Sequence, residues 1–240
     1  ARDLDAVHRA LELDPRTTAT MGHSMGGLVS IRFHQLFEDR AAAAALTSPL
    51  LGIRVAIPWW KLSLGHVVRW SQPTYRFETE VCESDTTRSV EVLERRMNDP
   101  LMHRFVTAGW FFAVRDAVRS AWREAEEVKL PILGLQADED YIVDPTVVEP
   151  WIERTGSLDW RYVGFPGQYH ELYNEPEWRE SMGLMADWLE ERVPAQRSGP
   201  KSALAGRESR GSARRGTIEP LGGGESARRA DHVGEKAPAS

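Results

Sequence analysis

Ser24 stands in the run Gly22-His23-Ser24-Met25-Gly26-Gly27, with a glycine two positions away on each side. The β-prone run Thr17 to Met21 precedes it and the amphipathic run Leu28 to Phe37 follows. A serine at a strand-to-helix turn, flanked by residues without Cβ, is the arrangement of a nucleophile elbow. So tight a turn forces the serine into a strained backbone conformation, and side chains at Gly22 or Gly26 are expected to collide with the neighbouring strand or helix. The hydroxyl is then exposed at the carboxyl end of the sheet, where the amides opening the next helix favour an anion. Attack on an acyl carbon suits this arrangement, with the tetrahedral oxyanion as the anion.

A glycine-rich turn of this kind can also be only a turn, so the motif needs partners. A serine hydroxyl is a poor nucleophile at neutral pH; it requires a base, and the base requires an acidic group to orient it. In an open parallel sheet such groups arrive on loops at the carboxyl ends of strands. Two late loops offer them. Asp138, Glu139, Asp140 and Asp144 follow the strand-like run Leu130 to Gln136, and His170 follows the run Trp160 to Phe165. His8 and His34 fall in helical stretches, His66 and His103 in or beside an aromatic insertion, and His232 near the end of the chain. His23, beside the serine, is expected to pack behind it.

The elements that must position these groups alternate. Residues 2 to 13 read as an amphipathic helix with Leu4, Val7 and Leu11 on its apolar face, ended by Asp14-Pro15. Thr17 to Met21 is a strand. Ala41 to Leu46 reads as a buried parallel strand despite its alanines, because it is short, apolar and stopped by Ser48-Pro49. A helix over 101 to 127, a strand over 130 to 136, a short helix around 147 to 154, a strand over 160 to 165 and a helix over 177 to 192 follow. That last helix places Trp178, Met182, Met185 and Leu189 on one face. Strands alternating with helices predict an α/β class: a mostly parallel sheet flanked by helices. Residues 1–50 and 109–194 form its core, and residues 51–108 form a helical cap insertion rich in aromatic residues. Residues 195–240, with no aromatic residue and a Gly222 to Gly224 run, read as a disordered tail.

The 240 residues and 41% hydrophobic content suit one substantial core. The single cysteine, Cys82, excludes an internal disulfide and fits a reducing, cytoplasmic compartment. No apolar run is long enough for a membrane helix. Residues 195–240 carry nine Lys or Arg against five Asp or Glu, which leaves −10 of formal charge on residues 1–194, a poor match for nucleic acid.

Three motifs in the order Ser24, Asp140, His170, namely Gly-His-Ser-Met-Gly-Gly, Gln-Ala-Asp-Glu-Asp-Tyr-Ile-Val-Asp and Gly-Gln-Tyr-His-Glu, resemble those of the α/β-hydrolase fold. More narrowly the chain resembles the branch of monoacylglycerol lipases and bacterial lysophospholipases labelled serine aminopeptidase-like, to which Ser48-Pro49-Leu50 also conforms. The resemblance covers roughly residues 1 to 193. It implies that Asp140, just before a short apolar pair, is the acid rather than Asp138 or Asp144. It also implies that Ser24 attacks an ester carbonyl, that His170 moves the proton, and that the Met25 amide is one oxyanion donor. His23, Trp59, Trp60 and Ile142 are the expected substrate-binding residues. The implied substrate is a single-acyl lipid ester, met at a membrane surface through the cap, and no cofactor or metal is called for. A thioesterase, peptidase or acyltransferase with the same triad, or a non-catalytic module, are the alternatives.

The family's second oxyanion donor comes from a His-Gly loop well before the nucleophile, and only about twenty residues precede Ser24 here. The fold is therefore expected to be N-terminally truncated, with an exposed sheet edge. The isolated chain is expected to turn over a short-chain ester only slowly; rates matching intact family members would contradict this.

Overall fold

The structure is a computed structural model and describes residues 1–54, 65, 68–78, 81–102, 104–194 and 231–235. Along the chain run α1 (Arg2–Ala10), β1 (Ala19–His23), α2 (Met25–Leu36), β2 (Ala43–Thr47), β3 (Arg76–Glu78), α3 (Val90–Met97) and β4 (Phe105–Thr107). They are followed by α4 (Ala108–Arg123), β5 (Ile132–Ala137), α5 (Val148–Glu153), β6 (Asp159–Phe165), α6 (Trp178–Arg192) and β7 (Asp231–Glu235). The main sheet has the order β1-β2-β5-β6-β7, parallel throughout except for the antiparallel β6–β7 pair. His23 lies opposite Thr47, and Ala137 opposite Phe165. The four parallel strands thus release their following loops along one edge of the sheet.

Every residue of β2 is buried. Its alanines would favour a helix in isolation, but a strand covered on both faces needs small apolar residues more than it needs propensity. Leu46 and Ile132 face a core shared with Leu28, Val114, Trp151 and Ile152, whereas Ala45, Leu133 and Leu135 face the core under α6. α5 crosses β5 so closely that a Cβ on Gly134 would sit 2.4 Å from Ile152 Cδ1.

Several expected elements differ in detail. The first helix stops at Ala10, because the Asp14 carboxylate takes the Arg16 amide at 3.0 Å and opens a 3-10 turn over Pro15–Thr17. Its apolar face is also not the buried one. Val7 and Leu11 are 50% and 65% exposed, and the helix instead buries Asp5 and His8. Asp5 is acceptable there because the guanidinium groups of Arg9, at 2.6 Å, and Arg40, at 3.0 Å, compensate its charge. In α6 the buried side chains are Ser181, Met185 and Trp188, while Trp178 turns outward under the Arg179 guanidinium. The start of the expected helix over 101–127 is the short strand β4, antiparallel to β3, and α4 begins only where the Thr107 hydroxyl caps the Trp110 amide. The insertion between β2 and α4 is thus part strand and part helix.

The tail departs from its expected disorder at residues 231–235, where β7 pairs with β6. The edge of β6 would otherwise present unpaired amides and carbonyls, which any segment able to extend can satisfy. The opposite edge, along β1, carries no paired strand among the described residues, and Met21 on β1 is exposed.

Between α2 and β1 lies a buried polar cluster. His34 Nε2 sits 2.8 Å from Thr20 Oγ1, which accepts from Ser30 Oγ at 2.9 Å. Burial, with nearby His8 adding a smaller effect, pulls the His34 pKa from 6.5 to about 4. The unfolded chain therefore takes up this proton first. The stability contributed by keeping His34 neutral is complete above pH 6.5 and is lost as pH falls towards 4. Urea denaturation should show stability falling across that window, by up to about 1.4 kcal/mol per pH unit from this one group. His34→Gln should have a measurably shallower slope; equal slopes would refute the assignment.

Candidate active site

Ser24 joins β1 to α2 with φ 51° and ψ −119°, a conformation that L-residues seldom adopt. Three backbone hydrogen bonds hold it. Its amide donates to the Thr47 carbonyl at 3.0 Å, and its carbonyl accepts from Leu50 at 2.9 Å and from Leu28 at 3.2 Å. The Thr47 to Leu50 segment thereby grips the turn from the end of β2, with Ser48 itself at φ 40° and its amide on the Leu135 carbonyl at 2.8 Å.

The glycines divide into two kinds. A Cβ on Gly22 would lie 2.6 Å from the Gly26 carbonyl oxygen, and one on Gly27 would lie 2.7 Å from Pro49 Cβ. At Gly26 a Cβ would meet nothing within 4 Å, contrary to the collision expected there. The turn is closed by the approach of Gly22 to the backbone of residues 26 and 27, so the second tight position is Gly27. The amides of Met25, Gly26 and Gly27 precede the first intrahelical bond of α2, from Leu28 to Ser24, and point out of its first turn.

On the neighbouring loops one carboxylate and one imidazole meet. Asp140, 0% exposed, lies after β5, and its Oδ2 is 2.6 Å from His170 Nδ1. Oδ1 accepts the amides of Ile142 and Val143, both at 2.9 Å, and Oδ2 also accepts Gln136 Nε2 at 3.2 Å. Arg54 donates to the Asp140 carbonyl at 2.5 Å. A buried carboxylate satisfied in this way holds an imidazole as the tautomer with its proton on Nδ1, leaving Nε2 free to accept. The other acids serve elsewhere. Asp144 caps the Thr146 amide and hydroxyl at 3.0 and 2.6 Å, and Asp138 is exposed, its pKa raised by partial burial.

His23 connects the two halves. Its ring lies 4.6 Å from that of His170 and 5.0 Å, edge-on, from that of Tyr173. Its Nδ1 is 3.1 Å from both the carbonyl and the hydroxyl oxygen of Thr47. Burial, reinforced by His170, pulls its pKa to about 3, so it stays neutral beside His170. The next residue along from this contact is Ser24.

A family model for the serine aminopeptidases, S33, matches residues 1–177. The chain belongs to that family. It is 32% identical over 159 residues to phospholipase YtpA of Bacillus subtilis, covering 65% of this chain and 61% of that protein. A monoacylglycerol lipase of Mycolicibacterium smegmatis is 24% identical over 170 residues, covering 70% of this chain and 60% of the relative. The chain thus spans about three fifths of the length of either relative. Among solved structures, Paleococcus ferrophilus monoacylglycerol lipase superposes with a TM-score of 0.73 at 26% identity, over 80% of this chain and 74% of that one. The fold is the α/β-hydrolase fold, and the chain's resemblance to the monoacylglycerol lipase and phospholipase branch holds.

Within this S33 chain, Trp59 and Trp60 lie outside the described residues. Ile142 is half-buried against the main core, with its amide committed to Asp140. Sequence reasoning missed Gln136, Thr47 and Tyr173. Gln136 had a signal, being a polar residue in the otherwise apolar strand Ile132–Ala137. Thr47 and Tyr173 had none, since their roles come from contacts between distant segments.

The glycine geometry sets an order of tolerance. By thermal denaturation, Gly27→Ala should cost about 1–3 kcal/mol through overpacking against Pro49, and Gly22→Ala at least as much. Gly26→Ala should be neutral or stabilising by up to about 1 kcal/mol, as for a helical glycine with open space. An equal loss at all three positions would contradict this account of the turn.

Proposed function

We propose that this chain carries the catalytic residues of a carboxylic ester hydrolase acting on single-acyl lipids, monoacylglycerols or lysophospholipids, through an acyl-Ser24 intermediate. The observation that carries the reading is the buried 2.6 Å His170–Asp140 pair, packed through His23 against the turn that bears Ser24. In this reading Ser24 Oγ attacks the ester carbonyl while His170 Nε2 takes its proton, and Asp140 stabilises the imidazolium. The Met25 amide donates to the oxyanion at the first turn of α2. His170 then returns the proton to the departing alcohol, and a water activated by the same nitrogen releases the fatty acid from Ser24.

The lipid part rests on two supports. Relatives named phospholipase and monoacylglycerol lipase match about two thirds of the chain. The segment between β2 and α4 also leaves Trp70, Tyr75, Phe77 and Leu101 in contact with solvent, the surface an acyl chain or a lipid interface would cover. We assign residues 51–108 to a cap over the site, with Trp59, Trp60, His23 and Ile142 bordering the acyl chain. Contact with a membrane through this cap makes the protein membrane-peripheral; among the described residues no helix is long and apolar enough to cross a membrane.

Hydrolysis of monoacylglycerols and p-nitrophenyl esters of increasing acyl length tests the reading. Rates should rise beyond butyryl, and Ser24→Ala or His170→Ala should remove at least about 10³-fold of the activity. A flat or falling dependence on chain length would remove the lipid assignment, and retained activity in Ser24→Ala would remove the mechanism.

A further inference from the structure

The loop that carries His170 is held on both sides by residues 86–96, from the segment inserted between β2 and α4. On one side, the Glu171 amide donates to the Thr86 carbonyl at 2.9 Å. The Glu171 carboxylate meets Arg96, whose other guanidinium nitrogen lies 2.6 Å from Thr86 Oγ1. On the other side stands Glu175, whose side chain is fully buried. Its Oε2 accepts the Tyr169 amide at 3.2 Å and Arg88 Nε at 2.6 Å. Its Oε1 accepts the Arg88 amide at 2.7 Å and lies 2.8 Å from the Thr87 hydroxyl, which is equally close to the Asn174 carbonyl and has one proton for the two. The residue after His170 is therefore tied to the inserted segment by its own amide, and the residue before it through the Glu175 carboxylate that Arg88 and Thr87 hold.

Such an arrangement is more than a surface ion pair. A carboxylate removed from water is costly unless its lone pairs are used, and here three N–H groups donate to it, with the Thr87 hydroxyl within reach, from two segments far apart in the chain. Burial pushes the Glu175 carboxyl up, yet the bonds from Arg88, Thr87 and Tyr169 outweigh it and hold the pKa below the ordinary range. The charge is thus present at neutral pH.

We propose that Glu175 is a positioning residue for His170: with Arg88 and Thr87 it locks the Tyr169 amide, fixes the loop, and couples the geometry of the His170–Asp140 pair to the docking of residues 86–96. This rests on the reading of His170 as the general base. Glu175 touches neither substrate nor reacting atoms. Its effect travels through one backbone bond to the residue beside the base, where displacements on the order of 1 Å cost about 10²-fold in rate.

Glu175→Gln is the informative change. Both carboxylate oxygens receive only donors, so either orientation of the amide sets an NH₂ group against the Tyr169 or the Arg88 N–H. Three readouts on the full chain separate positioning from simple structural support: kcat and KM on a soluble ester normalised to the Ser24 titrated by a fluorophosphonate, the rate of that titration, and the low-field proton resonance of the His170–Asp140 hydrogen bond. In Glu175→Gln, kcat per titrated serine should fall about 10- to 100-fold, KM should stay within about twofold, and the low-field resonance should move upfield or broaden away. Unchanged kcat per titrated serine with an unchanged resonance would overturn the proposal. Where Glu175→Gln does not fold, Thr87→Val removes one hydroxyl from the same carboxylate at nearly constant volume. It should give about a fivefold loss, the worth of one hydrogen bond of about 1 kcal/mol, and a smaller shift; a resonance and rate identical to wild type would again overturn it. A wild-type chain that neither hydrolyses nor is titrated would refute the ester-hydrolase reading, and the resonance alone would then decide whether Glu175 positions His170.

Discussion

The backbone of Ser24 occupies a region that costs on the order of 1–3 kcal/mol for a residue with a side chain, and much of the surrounding structure serves to hold it there. Two bonds from the end of β2 fix its amide and carbonyl, and the missing Cβ atoms of Gly22 and Gly27 let the strand, the helix and Pro49 approach within contact distance. The neighbouring strand runs parallel and ends opposite the preceding residue, in the His23–Thr47 register, so the segment leaving it reaches the turn. Once β1 and β2 are set in this way, β5 and β6 follow in the same direction, and their loops must emerge beside the serine.

The electrostatics follow from burial. Asp140 and His170 are both withdrawn from solvent, so each must be satisfied locally, and each is: the carboxylate by two amides, Gln136 and His170, the imidazole by the carboxylate. His23 contributes by staying uncharged. A second imidazolium 4.6 Å from His170 would oppose its protonation, and burial of His23 prevents that charge from forming. A second buried carboxylate, Glu175, sits five residues beyond His170 and is neutralised by Arg88 rather than by a histidine. The two acids in one small region thus have separate partners.

The parts of this structure legible in the sequence are those fixed by local chemistry. Gly22 to Gly27 announced a strand-turn-helix, His170 stood on the one late loop with an unassigned imidazole, and the Ala41 to Leu46 run read as a strand because Ser48-Pro49 stops it. Resemblance, rather than pattern, separated Asp140 from Asp144; the structure supplies the physical difference, a local Asx turn at Asp144 and a buried pair at Asp140. What misled was periodicity in α1, where Leu4, Val7 and Leu11 looked like a core face. Long-range pairing of Asp5 with Arg40, 35 residues away, turned the helix over, and no window of sequence contains that contact. The same holds for the strand pairs β3–β4 and β6–β7, each closed across an intervening stretch far longer than a hairpin turn. Gly26 was misjudged because spacing shows which glycines flank a serine but not which of them faces a neighbour.

Ser24 is proposed as the one activated nucleophile, prepared by His170. Site-resolved mass spectrometry of the folded chain after brief exposure to a fluorophosphonate tests it most directly. A single adduct on the peptide containing Ser24 is expected, and none on that peptide in His170→Ala under the same exposure. A folded chain without an adduct, or one carrying it on a different serine, would contradict the assignment of Ser24.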